Sequence, residues 1–366
     1  MLFPPASCQR LVVKIGSALL VDPAGSVRRT WLEGIAADVA ARVRAGQQVA
    51  IVSSGAIALG ARRLGLARGG RASLEDAQAA AATGQIALSR TWADVLDAQQ
   101  MTAAQMLVTL DDLEDRRRYL NAAATLGRLL KLGVVPIINE NDSVATAEIR
   151  FGDNDRLAAR VAQVAGAHGV LLLSDIDGLY DRNPSLPGAT HIAEVSKIDA
   201  SIAGMADTGS ASGMGSGGMV SKIEAARIAT GAGVALAIAS GRVDRPLSIA
   251  GRHTMFRPER RSGARRAWLS GRLTVKGTIR IDAGAASALA AGRSLLAAGA
   301  TAIDGRFVRG DVVAIEGPAG VIARGLAEYD AAEVTLLLGR RSEEHEVLLG
   351  YAPRAALVHR NHMALL

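Results

Sequence analysis

The chain has 366 residues, 49% of them hydrophobic and 21% charged, with a formal net charge of +7. That apolar content excludes an intrinsically disordered protein, and a single cysteine, Cys8, excludes a disulfide scaffold or a cysteine-based zinc site. At about 150 residues per domain the length predicts two domains. No apolar run approaches the ~18 residues of a membrane span, and the start MLFPPASCQR lacks a basic segment followed by an apolar one, so the expectation is a soluble cytoplasmic protein.

In chain order, residues 1–250 alternate apolar runs with helical patterns. LVVKI (11–15) reads as a buried strand, 31–46 as a helix ending at Gly46, and QVAIV (48–52) as a second strand. Two helices follow, over AIALGARRLGL and over the stretch from Ser73 to Ala98. QMLVT (105–109), VVPIIN (134–139), GVLLLS (169–174) and VALAIAS (234–240) continue the strands; 119–133, 155–166 and 219–233 continue the helices. Near-continuous apolar strands alternating with helices predict an α/β domain with a mostly parallel sheet covered on both faces.

The pattern breaks at 251–269, an Arg-rich stretch with Pro258 and no helical or strand period, which reads as a linker. A small β-rich domain is expected over 270–355, with strands at 278–282, 307–317, 320–330 and 346–351 and one helix at 284–292, followed by a C-terminal tail at 356–366. The charge is uneven: residues 1–250 carry a net +1 and residues 251–366 a net +6. That asymmetry suits an anionic partner for the C-terminal part, against the plainer reading of a solvated face.

Five stretches carry chemistry. In LVVKIGS (11–17) a strand runs into Lys14, Gly16 and Ser17; the glycine lets backbone N–H groups approach a phosphate and the lysine adds a point charge. The alternative is a strand end with a solvated lysine, and no Walker A pattern occurs. In VSSGAIALG (52–60), Ser53, Ser54 and Gly55 lie at a strand end before a helix, where free N–H groups suit a carboxylate or phosphate, or where a serine simply caps.

INENDSVATAEIRFGDNDRLAARVA (138–162) gathers Asn139, Glu140, Asn141, Asp142, Glu148, Asp153, Asn154 and Asp155 around strand ends. Carboxylates there suit an ammonium group, Mg²⁺ or the orientation of a catalytic lysine; a polar loop with one N-cap is the plainer reading. In LLLSDIDGLYDRNP (171–184), Ser174 and Asp175 end a parallel strand, a common place for nucleotide contacts. GSASGMGSGGMVSKIEAA (209–226) offers a glycine loop ahead of a helix with Lys222 in its first turn. Its Gly213-x-Gly215-x-x-Gly218 spacing matches a dinucleotide fingerprint, but no strand precedes it, so a loop closing over ATP fits better. No H-E-x-x-H or G-x-S-x-G pattern supports a metalloprotease or hydrolase.

VVKIGS, SSGAIA, INENDSVATAEIRFGDND, DGLYDRNP and GSGGMVSKIEAA together resemble the amino acid kinase family and, within it, the glutamate 5-kinase branch, over nearly the whole chain. The resemblance implies a three-layer αβα sandwich with a mostly parallel central sheet, plus a small β-rich PUA-like C-terminal domain. It implies ATP with Mg²⁺ and phosphorylation of the γ-carboxylate of L-glutamate, the first step of proline biosynthesis. In that pattern Lys14 and Lys222 serve the transferring phosphoryl group and Asp155 orients them. Ser54, Gly55, Asp142 and Asn154 bind glutamate, with Asp153 in support.

The nucleotide positions would be Lys14, Gly16, Ser17, Ser174, Asp175 and the run Ser216, Gly217, Gly218, Met219, Val220, Ser221 and Lys222, with Mg²⁺ held mainly by the ATP phosphates. The family commonly has a second hydroxyl residue where Ala18 stands and threonine where Ser174 stands. The resemblance also implies feedback inhibition by proline, a homodimer or homotetramer, and glutamyl-phosphate reductase as a partner. Two alternatives differ in class: another carboxylate acceptor such as N-acetylglutamate, against which the acidic Asp142 argues, and an RNA-binding protein built on the basic C-terminal domain.

Overall fold

The computed structural model describes residues 1–22, 25–144, 154–206, 218–249, 251–258, 274–351, 353–354 and 356–366. They form two units: Met1–Glu114 with Ala122–Glu259, and Asp115–Asn121 with Arg260–Leu366. No helix among the described residues is long and apolar enough to cross a membrane.

The first unit runs β1 (Arg10–Ile15), α1 (Ser17–Leu20), α2 (Arg29–Arg44), β2 (Gln48–Ser53), α3 (Ala56–Leu64), α4 (Leu74–Asp97), β3 (Ala103–Val108), α5 (Leu110–Glu114) and α6 (Arg116–Lys131), whose first turn counts with the second unit. It continues with β4 (Val135–Glu140), α7 (Asn154–Ala165), β5 (Gly169–Ser174), β6 (Leu179–Tyr180), β7 (His191–Ile192), β8 (Glu194–Val195), α8 (Ala200–Gly204), α9 (Met219–Gly231), β9 (Ala235–Ser240) and β10 (His253–Phe256).

Eight of these strands make one sheet in the order β3-β4-β2-β1-β5-β9-β10-β8. The six from β3 to β9 are parallel, and β10 joins β9 antiparallel. β4 and β5 are buried along their whole length; their apolar runs Val135–Ile138 and Gly169–Leu173 predict strands covered on both faces, and the polar Asn139, Glu140 and Ser174 end them. The pairing sets Lys14 level with Val52 and Leu172, and Val52 level with Ile138, so the carboxyl ends of β1, β2, β4 and β5 form one rim. The chain goes from β1 to one side through β2 and to the other through β5, which makes this rim a switch point of the kind where α/β proteins bind ligands.

Side chains alternate across the strands. Leu11, Val13 and Ile15 of β1 join Trp31, Leu32, Ile35 and Val39 of α2 and Leu88, Trp92 and Val95 of α4 in one core. The intervening residues, Lys14 among them, face the side covered by α7 and α9. On α7 the buried residues Leu157, Ala158, Val161, Ala162 and Ala165 recur at helical spacing.

Helices α3 and α4 cross with almost no space between them. A Cβ on Gly84 would collide with the Ala56 carbonyl oxygen, and one on Gly60 with the Ala80 carbonyl oxygen. Glycine at both positions is therefore a packing requirement, and it brings the residue after Gly84, Gln85, close beneath the sheet rim.

The second unit contains β11 (Gly277–Ile281), α10 (Ala283–Ala290), β12 (Ala300–Gly305), β13 (Val312–Gly317), β14 (Gly320–Leu326), α11 (Ala331–Leu337), α12 (His345–Leu349) and β15 (Met363–Leu365). Its sheet has the order β12-β11-β13-β14-β15 around a core that includes Ile279, Val313, Ile315, Leu337 and Val358.

Four local expectations change. The stretch read as linker holds β10, whose Thr254 and Phe256 are fully buried; four residues are too few to display a period. The run 346–351 is not a strand. Its first residues belong to α12, entered from a turn in which Arg341 N–H donates to Glu344 Oε2 (2.9 Å) and closed by Gly350 at φ 73°. Its apolar Val347 stays 87% exposed. β12 was not expected because ATAIDG is poor in large apolar residues. The stretch expected to be a tail supplies β15, which pairs with β14.

Candidate active site

Lys14 stands one residue from the end of β1, on the face covered by α7 and α9. Asp155 lies in the first turn of α7 and Lys222 in the first turn of α9. The three side chains meet: Lys14 Nζ lies 2.7 Å from Asp155 Oδ1, and Lys222 Nζ donates to Asp155 Oδ2 at 2.9 Å. All three are buried, Asp155 to 1% exposure. Burial alone pushes the Asp155 carboxyl up, but the charges of Lys14 and Lys222 and their hydrogen bonds outweigh it and hold it below its ordinary range. The site therefore presents two ammonium groups fixed on one carboxylate, a net positive charge at the rim of a parallel sheet.

A second group lies at the ends of β2 and β4. Asn154 Nδ2 donates to Ser54 Oγ (2.8 Å) and to Asn139 Oδ1 (3.0 Å). Asn139 Nδ2 donates to Gln85 Oε1 (2.9 Å), and Gln85 Nε2 donates to Ser89 Oγ (3.1 Å). Asn154 Oδ1 and Asp142 Oδ1 are buried acceptors with no hydrogen-bond partner among the described residues. A cavity of about 250 Å³ adjoins Asp142, lined by residues including Ala56, Gln85 and Glu140. Burial pushes the Asp142 carboxyl up to about 6, with Arg71 opposing the shift.

Gly55 precedes α3 at φ 110°, a conformation that favours glycine, and no side chain caps the helix, so its first N–H groups stay available to an anion. Behind them Trp92 Nε1 donates to Ser53 Oγ (2.9 Å) and fixes the strand end.

Of the nucleotide-side candidates, Gly16 and Ser17 follow Lys14, and a Cβ on Gly16 would lie 3.8 Å from Lys14 Nζ. Ser174 ends β5 and donates from Oγ to Asp175 Oδ1 at 3.0 Å, while Arg242 Nη2 lies 3.9 Å from Asp175 Oδ2. Gly218 is the N-cap of α9, which has no side-chain cap; Met219, Val220 and Ser221 form its first turn with Lys222. Asp153, Ser216 and Gly217 lie outside the described residues.

Sequence reasoning did not single out Gln85, and it named Asn139 only as part of a polar stretch. Gln85 was detectable as one polar residue on the buried Ala80–Ala81–Leu88 face of α4, directly after the glycine of a helix crossing.

Residues 9–240 match the Amino acid kinase family. The chain belongs to that family. Residues 277–349 of this amino acid kinase match the PUA domain. Among its curated relatives, the Glutamate 5-kinase of Sphingopyxis alaskensis is 73% identical over 366 residues, covering 100% of both chains. That of Novosphingobium aromaticivorans is 62% identical, covering 99% of this chain and 97% of the other. That of Zymomonas mobilis is 58% identical, covering 100% and 93%. Among solved structures, the UMP kinase of Ureaplasma parvum superposes with a TM-score of 0.47 at 16% identity, covering 68% of this chain and 98% of that one.

Proposed function

We propose that this amino acid kinase transfers the γ-phosphoryl group of ATP to the γ-carboxylate of L-glutamate, giving L-glutamyl 5-phosphate and ADP, the first step of proline biosynthesis. The observation that carries the reading is the Lys14–Asp155–Lys222 arrangement at the carboxyl rim of the sheet. Relatives named Glutamate 5-kinase over the full length support the choice of acceptor.

The chemistry follows from charge. The acceptor carboxylate is already ionised, so no general base is required. A carboxylate oxygen attacks the γ-phosphorus, the bond to the β–γ bridging oxygen breaks, and ADP leaves with that electron pair. The obstacle is repulsion between two anions. Lys14 and Lys222 neutralise the oxygens of the transferring group, and Asp155 holds both ammonium groups where they are needed. Asp155 is committed to the two lysines and does not fit as a metal ligand. Mg²⁺ carried on the ATP phosphates supplies further positive charge when bound.

The uncapped start of α9, with Gly218 to Ser221, suits the phosphates, and Gly16, Ser17, Ser174 and Asp175 the rest of the nucleotide. On the acceptor side, Asp142 and Asn154 supply oxygens to the substrate ammonium. Ser54 and the N–H groups after Gly55 supply donors to its α-carboxylate. Proline carries an α-carboxylate and an ammonium too, so competition at Asp142 and the α3 N-terminus is the proposed route of feedback inhibition. Assembly as a homodimer or homotetramer and pairing with glutamyl-phosphate reductase also belong to the proposal, while RNA binding by the PUA domain is the alternative reading of that domain.

The test is ADP release with a panel of acceptors. L-glutamate is expected to be the preferred substrate over N-acetylglutamate and L-aspartate. Equal turnover of N-acetylglutamate would overturn the reading of Asp142 as the ammonium partner.

A further inference from the structure

Ser89, Gln85, Asn139, Asn154 and Ser54 form a hydrogen-bonded chain from α4, through the end of β4, to the first residue of α7 and the end of β2. Gln85 and Asn139 are 54 positions apart in sequence and both are buried, at 8% and 2% exposure. Three amides in series give such a chain a direction. Gln85 and Asn139 each use their oxygen on one side and their nitrogen on the other, Asn154 donates from Nδ2 to both its neighbours, and turning any one amide over requires turning all three.

The direction matters at the last link. In the observed sense both hydrogens of Asn154 Nδ2 are spent, on Ser54 Oγ and Asn139 Oδ1. Its Oδ1 is left as a buried acceptor without a partner among the described residues. Ser54 Oγ accepts from Asn154, so its own hydrogen stays free to donate. In the reverse sense Asn154 would present N–H and the Ser54 hydrogen would be consumed. Only the observed sense offers an acceptor to an ammonium and a donor to a carboxylate side by side, which is what a zwitterionic amino acid requires.

We propose that Gln85 is a positioning residue that sets this direction: by accepting from Asn139 Nδ2 it turns Asn139 Oδ1 toward Asn154 and so presents Asn154 Oδ1 to the substrate. The inference rests on the proposed reading of Asn154 as a glutamate-binding residue. Gln85 also lines the cavity beside Asp142, but the effect proposed runs through Asn139 and Asn154 and belongs to the selection of the amino acid, not to phosphoryl transfer.

The test uses steady-state kinetics of the full-length protein. Gln85→Met, similar in volume but without an acceptor oxygen, is expected to raise the KM for glutamate about tenfold, the worth of one buried hydrogen bond, and to leave the KM for ATP unchanged. Gln85→Glu keeps an acceptor facing Asn139 and is expected to retain a glutamate KM close to wild type. In an Asn154→Ala background Gln85→Met is expected to add no further effect. If Gln85→Met fails to fold, Gln85→Ala, which cannot overpack, takes its place under the same criteria.

Equal effects of Met and Glu at position 85 would overturn the proposal, as would an undiminished effect of Gln85→Met in the Asn154→Ala background. The underlying reading fails separately: Asn154→Ala with an unchanged glutamate KM would remove Asn154 from the substrate site and the relay with it. A raised KM in Asn154→Ala beside a wild-type KM in Gln85→Met would overturn the relay alone.

Discussion

Lys14 and Lys222 bind the two oxygens of one buried carboxylate, Lys14 at 2.7 Å from Asp155 Oδ1 and Lys222 at 2.9 Å from Oδ2. One comes from a strand and the other from a helix, and face parity together with two helix starts brings them together. Neither lysine is placed by its own sequence neighbours alone. Asp155, in the first turn of α7 where the helix dipole favours negative charge, is the common anchor.

Removing one lysine leaves Asp155 paired with the other, so the fold should persist while transition-state stabilisation falls. Lys222→Ala is expected to lower kcat about 100-fold, on the order of 3 kcal/mol, with a far-ultraviolet circular dichroism spectrum like that of the wild type. A near wild-type kcat would remove Lys222 from the phosphoryl-transfer machinery.

Removing the carboxylate is a different injury. Asp155→Asn strands two buried ammonium groups and is expected to destabilise the protein by about 3–5 kcal/mol as well as abolish activity. The pH dependence has a definite sign. The folded-state pKa of Asp155 lies below the ordinary aspartate value of 3.8, so the fold gains from this group above that value and loses the gain as pH falls through the folded pKa. The gap in denaturant stability between wild type and Asp155→Asn should be full near neutral pH and shrink below 3.8; a gap that does not move with pH would contradict the account.

Asp142 behaves in the opposite way. Burial raises its carboxyl from the ordinary 3.8 to about 6, so between those values the folded protein holds a proton there that the unfolded chain has already released. Ionising it costs stability, a cost absent below 3.8 and complete above about 6. Asp142→Asn is therefore expected to raise Tm near neutral pH while raising the KM for glutamate. In the wild type, kcat/KM for glutamate should fall as pH drops through about 6, with that for ATP unaffected. The variant should lose this pH dependence. A Tm that falls in Asp142→Asn would show that the carboxylate has a partner in the fold.

The α3–α4 crossing admits no Cβ at Gly84. Gly84→Ala is expected to force the helices apart at a cost of about 1–3 kcal/mol, lowering Tm. It should also raise the KM for glutamate, because Gln85 and Ala56 move with it. Unchanged thermal stability would mean that the crossing is looser than it stands here.

Much of the first unit was legible because its strands are unbroken apolar runs and its helices are long enough to show a period. The lysines and acidic residues of the site were legible because each sits in a short motif at a strand end or helix start. Gln85 was not, because its role depends on a helix crossing far away in sequence and on a neighbour, Asn139, that looks like any loop amide. The second unit was read least well. Its strand Ala300–Gly305 has small side chains, and its helices Ala331–Leu337 and His345–Leu349 complete too few turns to display amphipathicity. In such short elements caps decide: Asp330 accepts from Glu333 N–H at 2.9 Å, and Glu333 Oε2 accepts from Asp330 N–H at 3.0 Å.

The most direct test is to incubate the purified protein with ATP, Mg²⁺ and L-glutamate in the presence of hydroxylamine, which traps an acyl phosphate as its hydroxamate. Glutamate-dependent hydroxamate formed in step with ADP is the predicted result. ADP without hydroxamate, or neither product from folded protein, would contradict phosphorylation of the γ-carboxylate.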